Sequence, residues 1–212
     1  MVTITISIVL LTSVISFTAF SNGKVMDDLI FYPPAISNRN QWYRFITCGL
    51  IHADFLHLAF NMYSFYLFGD IVEKAFTTLF GDRGKALYLI LYVTALIVSL
   101  LPTYLSHQND YHYRSLGASG AVSAIIFAGI FLYPTLGMGI FPIPFHIPGF
   151  IFGPLYLAIS YYLANKGRGN INHSAHIWGA VYGIVFLFIT SRFMSEYDLL
   201  NNFINQVGNY LR

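Results

Sequence analysis

The stretch 115-SLGASGAVSAIIFAGIFLYPTLGMGIFPIPFHIPGFIFGPLYLAISYYLAN-165 contains no Asp, Glu, Lys or Arg. A helix needs roughly 20 apolar residues to cross about 30 Å of hydrocarbon, so this tract is too long for one crossing. Gly and Pro recur between Pro134 and Pro148, and both interrupt helices. The tract reads as two spans, 116–133 and 149–165, with a loop between them.

Working upstream, 86–105 and 55–76 are further apolar spans, separated by a charged turn with Asp82, Arg83 and Lys85; Asp70, Glu73 and Lys74 are expected to close the earlier one. Residues 2–20 lack the basic start and small-residue cleavage site of a signal peptide, and are expected to be the first span. The connection 29–54 mixes Pro33, Pro34, Arg39 and Arg44 with Phe31, Tyr32, Trp42 and Tyr43. Its composition suits the headgroup boundary, with Arg44 and the aromatics as interfacial anchors. Downstream, 172–191 is the last span, stopped by Arg192 and followed by a polar tail with scattered apolar residues. The reading is an all-α polytopic membrane protein with six transmembrane helices, one domain over 1–212.

Composition agrees. With 56% hydrophobic and 9% charged residues, the chain has too little charge to clothe a soluble globule. A net charge of +2 from scattered basic residues leaves no footprint for nucleic acid. Cys48 is the only cysteine, which excludes an intramolecular disulfide and a cysteine-based metal site. No internal repeat is evident, against the inverted repeats common in secondary transporters. Six spans place both termini on one side. Lys24, Arg39, Arg44, Arg114, Lys166 and Arg168 then face Lys74, Arg83, Lys85, Arg192 and Arg212 across the bilayer, a balance that leaves orientation open.

Polar groups inside a membrane cost free energy and mark function by default. His52, His57 and Asn61 lie just before or early in span two, Ser119 in the first turn of span four, and His176 about one turn into span six. These spans start from the same side, so all five groups fall at similar depth. Span four rises only roughly 25 Å, less than the hydrocarbon thickness. Its start is expected to be recessed in a pit that water can fill.

A serine hydroxyl needs a base to become a nucleophile, and imidazole is the usual one. Ser119 and His176 can supply that pair, with Gly179 and Gly183 on the histidine's own face allowing a neighbouring helix to approach closely. The unpaired first-turn N–H of Ser119, with side chains from His57 and Asn61, can stabilise an oxyanion. With no acid in the spans at matching depth, a dyad fits better than a triad. Taken singly, Gly117-Ala118-Ser119-Gly120 and the Gly179/Gly183 pair are ordinary membrane packing, and a histidine near a helix end is usually a hydrogen-bonder. Their convergence at one depth points to acyl-transfer chemistry.

These residues resemble the rhomboid family of intramembrane serine proteases. His57-Leu58-Ala59-Phe60-Asn61 is similar to its His-x-x-x-Asn element, extended upstream by His52; Gly117-Ala118-Ser119-Gly120 is similar to Gly-x-Ser-Gly. Ala175-His176-Ile177-Trp178-Gly179-Ala180-Val181-Tyr182-Gly183 is similar to Ala-His-x-x-Gly-x-x-x-Gly. Trp42-Tyr43-Arg44 resembles a Trp-Arg element of the first loop, and Glu73 falls at an acidic position late in span two.

The resemblance implies a rhomboid-like bundle in which Ser119 is the nucleophile, His176 the general base and acid, and His57 and Asn61 oxyanion donors beside the Ser119 N–H. Gly117, Gly120, Gly179, Gly183 and His52 are the expected supporting residues. The implied activity is serine-type endopeptidase cleavage of single-pass membrane proteins in or near their transmembrane segment, without metal or cofactor. The first loop becomes a membrane-embedded flap, and the setting a bacterial inner membrane with both termini cytoplasmic. The alternative is a non-catalytic member that binds membrane clients, a kind that typically lacks the dyad. One position departs: four residues after the nucleophile, where many bacterial relatives carry an aromatic that supports the imidazole, this chain has Ser123. Support for His176 is expected from another aromatic, Trp178 being one candidate.

Overall fold

A computed structural model of the chain describes residues 2–139, 146–166 and 171–212. Part of the 134–148 interruption and Arg168 lie outside the described residues. The chain is mostly helical. In order run α1 (Ile4–Ser21), α2 (Gly23–Leu29), α3 (Pro33–Arg39), α4 (Arg44–Thr47), α5 (Phe55–Phe80), α6 (Gly84–Val98), α7 (Leu101–His107) and α8 (Ser119–Leu132). They are followed by α9 (Gly149–Lys166), α10 (His173–Met194) and α11 (Leu199–Tyr210), with one small antiparallel pairing of Gly137–Met138 and Ile147–Pro148 before α9. Ile4–Ser21, the stretch Phe55–His107 that holds α5 to α7, and His173–Met194 are long and apolar enough to cross a membrane; Ser119–Leu132 is a shorter apolar helix.

At the centre stands α8, which packs against α5, α6, α9, α10 and α11. Its sequence is apolar on every side, as a helix buried all round must be, and all its residues but Ser119, Ile126 and Phe131 are buried. The closest approach is to α10. A Cβ added to Gly179 would fall on the Gly120 carbonyl oxygen, and one added to Gly183 on that of Ala124. Glycine lets the two backbones touch there, one turn apart.

Several helix ends differ from the expected spans. The helix does not end at Asp70, Glu73 and Lys74: α5 runs through them to Phe80 and stops at Gly81, whose φ of 56° suits a helix terminus. Lys74 pairs with Asp70 one turn back at 2.6 Å. Glu73 is 4% exposed and serves another helix: its carboxylate accepts the N–H groups of Ile4 and Thr5, both at 2.9 Å, and the Thr5 hydroxyl at 2.8 Å. It thus caps α1, whose first N–H groups have no intrahelical acceptor. Glu73→Ala leaves those donors buried and unpaired, at a cost of about 3 kcal/mol. Thermal unfolding in detergent is expected to shift down by roughly 5–10 °C; an unchanged midpoint contradicts the capping role.

The third expected span is broken at Ser99-Leu100, after which Pro102 sits at the start of α7, where its missing N–H costs nothing. The first loop folds into α2, α3 and α4. Arg44 is not an interfacial anchor but a buried strut, 6% exposed, donating to the carbonyls of Asp27 (2.8 Å) and Ile30 (2.7 Å) and to Gln41 Oε1 (2.7 Å). The tail, read as polar, is the amphipathic helix α11. Its Asp198 cap accepts the Asn201 N–H, Phe203 stacks on Phe131 at 4.8 Å, and Gln206 donates to the Leu132 carbonyl at the end of α8.

Candidate active site

The segment leading into α8 is fixed by the first loop. Ser115 and Phe31 exchange backbone hydrogen bonds (3.0 and 3.1 Å), the Gly117 N–H donates to the Cys48 carbonyl (2.9 Å), and the Ala118 N–H donates to His52 Nε2 (3.5 Å). With Nε2 accepting, His52 carries its proton on Nδ1 and donates to Ser16 Oγ at 3.0 Å, and the Ser16 hydroxyl donates in turn to the Leu50 carbonyl. His52 is fully buried, a neutral strut linking α1, the first loop and the residue before Ser119. In the preceding loop, Asp110 is held below the ordinary carboxylate range, first by the His112 N–H and then by the His107 side chain.

Gly117 has φ of 106°, a backbone that only glycine adopts freely. Space demands glycine as well: an added Cβ would lie 2.8 Å from His57 Cε1 and 3.0 Å from His57 Nε2. The chain turns there and presents Ser119 as the first residue of α8. Among the described residues, no acceptor pairs with the Ser119 N–H. Ser119 Oγ lies 2.7 Å from His176 Nε2, across the α8/α10 contact.

His57 faces this turn from α5. Its Nδ1 accepts from the Ala53 N–H (3.4 Å), which assigns the proton to Nε2, the atom beside Gly117. Its own backbone N–H is taken by the Asp54 cap. Asn61, 7% exposed, donates one amide hydrogen to the His57 carbonyl at 3.0 Å. The structure therefore gathers Ser119, His176, His57, His52 and Gly117 around one turn, with Gly120, Gly179 and Gly183 forming the helix contact beneath. Asn61 lies one turn further along α5, behind His57.

Two neighbours of His176 have no signature in the sequence. Tyr156 of α9 lies with its ring centroid 6.3 Å from that of His176 and the planes 21° apart; His173 meets the imidazole edge-on at 5.7 Å. The phenol oxygen of Tyr156 is 3.2 Å from Ser123 Oγ. Trp178, by contrast, is 47% exposed. Among the described residues no carboxylate reaches His176. An apolar cleft of about 460 Å³ opens along α9, walled by Phe152, Tyr156, Ile159 and Leu163 and reaching His173 and His176.

The family described as "Rhomboid domain" matches residues 39–193. The chain is 31% identical over 163 residues to the "Putative rhomboid protease YdcA" of Bacillus subtilis, covering 77% of this chain and 74% of that protein. It is 29% identical over 171 residues to the rhomboid protease GlpG of Haemophilus influenzae, covering 78% and 80%. RHOMBOID-like protein 12, mitochondrial, of Arabidopsis thaliana is 32% identical over 152 residues, 66% of this chain and 44% of that one.

Proposed function

This chain belongs to the rhomboid family of multi-pass membrane proteins, and from that premise we propose that it is a serine-type endopeptidase that cuts single-pass membrane proteins in or near their transmembrane segment. The observation that carries the proposal is the 2.7 Å approach of His176 Nε2 to Ser119 Oγ at the start of α8.

In the reaction proposed, Ser119 Oγ attacks the scissile carbonyl carbon as its proton passes to His176 Nε2, and the carbonyl π pair becomes the oxyanion. In this mechanism the Ser119 N–H, which has no acceptor among the described residues, and the Nε2–H of His57 receive that charge. Asn61, whose other amide hydrogen is taken by the His57 carbonyl one turn back, contributes its second amide hydrogen. Collapse of the intermediate breaks the C–N bond, and His176 returns the proton to the departing amine. A water, deprotonated by His176, then attacks the acyl carbon; collapse breaks the bond to Ser119 Oγ, His176 returns the proton to that oxygen, and the new carboxyl end is released. The reaction balances with water alone, so no metal or cofactor is invoked.

The reading places six helices across the bilayer, α1, α5, α6, α8, α9 and α10, with both termini in the cytoplasm and Ser119 toward the outer face of a bacterial inner membrane. At 14 residues α8 rises about 21 Å, less than the hydrocarbon thickness, which leaves room for its start to lie below the outer surface with water entering from above.

The test is to reconstitute the purified protein in vesicles with a single-pass reporter carrying small residues near the outer end of its transmembrane segment. Two new fragments cut in or beside that segment are expected. Capture of uncut reporter with no fragment over many hours overturns the proposal in favour of a client-binding protein.

A further inference from the structure

Resting on that reading, we propose that Tyr156 of α9 is the positioning residue that holds the His176 imidazole in line with Ser119, so that the aromatic shelf for the base is supplied by a different helix from the one that carries the nucleophile. The need arises from the chemistry of a dyad. Once Nε2 is committed to Ser119, the ring requires something to fix its plane, and no carboxylate among the described residues does so. Tyr156 lies nearly parallel to the imidazole, 6.3 Å between centroids, within the range of offset aromatic pairs.

The phenol is itself held. Its hydroxyl meets Ser123 Oγ at 3.2 Å, and Ser123 is four residues after Ser119, so the anchor and the nucleophile lie on one face of α8. Its ring packs between Phe127 of α8 at 5.7 Å and Phe152, one turn back on α9, at 5.9 Å. Ser123 leaves room where a ring could stand, and Tyr156 fills that room from α9. The three helices meet in the order Ser123, Tyr156, His176.

This arrangement ties the base to the seating of α9, which buries few of its residues and carries Pro154 inside it. Tyr156 also walls the apolar cleft along that helix. A segment lying in the cleft touches the residue that orients the base.

The experiment compares the parent with Tyr156→Ala, Tyr156→Leu, Tyr156→Phe and Ser123→Ala, each checked for a parental unfolding midpoint in detergent. Two rates are read: covalent labelling of Ser119 by a small fluorophosphonate, which needs no cleft, and reporter cleavage resolved into kcat and KM. Tyr156→Ala and the volume-filling Tyr156→Leu are expected to slow labelling and lower kcat at least tenfold with KM within about threefold. Tyr156→Phe and Ser123→Ala, which keep the ring and remove only its hydroxyl anchor, are expected to lose far less than the two truncations; a loss as deep as theirs overturns the assignment to the ring. Parental labelling rates in Tyr156→Ala and Tyr156→Leu, or a rise in KM alone, overturn the assignment and make Tyr156 only a wall of the cleft. Failure of the parent itself to label defeats instead the protease reading on which the assignment rests.

Discussion

Replacing Ser119 by alanine is expected to lower reporter cleavage by about a thousandfold or more, and His176→Ala to do the same. In the proposed mechanism the two side chains act as one unit through their 2.7 Å contact, so the double variant is expected to be no slower than either single one. Independent contributions would multiply, whereas members of a nucleophile–base pair do not. Single-turnover cleavage in vesicles measures this without interference from product release. A His176→Ala protein that cleaves within tenfold of the parent removes the histidine from the proposed mechanism while leaving Ser119 standing.

The second large effect is expected at Gly179, which touches nothing that reacts. A side chain there meets the Gly120 carbonyl oxygen, backbone against which nothing flexible can yield. Gly179→Val therefore forces α10 away from α8, and Ser119 and His176 sit on opposite sides of that contact. A displacement of about 1 Å between reacting groups costs on the order of 100-fold in rate, with overpacking costing about 1–3 kcal/mol of stability. Gly208→Ala is the control, since an added Cβ at Gly208 meets nothing within 4 Å, and it is expected to cleave like the parent. Parental activity in Gly179→Val shows that the glycine contact does not set the dyad geometry.

The helical core was legible because absence of charge over helix-length runs is a direct physical signal, and the parity of spans placed Ser119 and His176 at one depth. Helix ends were less legible for identifiable reasons. Glu73 reads as a boundary in one dimension, yet its charge is spent on the first N–H groups of a helix 68 residues away. Arg44 reads as a surface anchor because its acceptors, the carbonyls of Asp27 and Ile30, carry no sequence signature. The amphipathic character of α11 is masked by asparagines, where charged residues would have marked its wet face. Within the site, Ser123 showed that the expected ring was missing from α8. It gave no direction to Tyr156 on α9, since contact between two helices depends on how both pack, and neither sequence alone encodes it.

If His176 makes Ser119 a nucleophile within the bilayer, a fluorophosphonate added to the folded protein reacts there, and peptide mass spectrometry locates the adduct in the parent and in His176→Ala. One adduct, on Ser119, is expected in the parent and none in His176→Ala. An unlabelled Ser119 in the folded parent, or equal labelling with and without His176, rules out activation of the serine by this histidine.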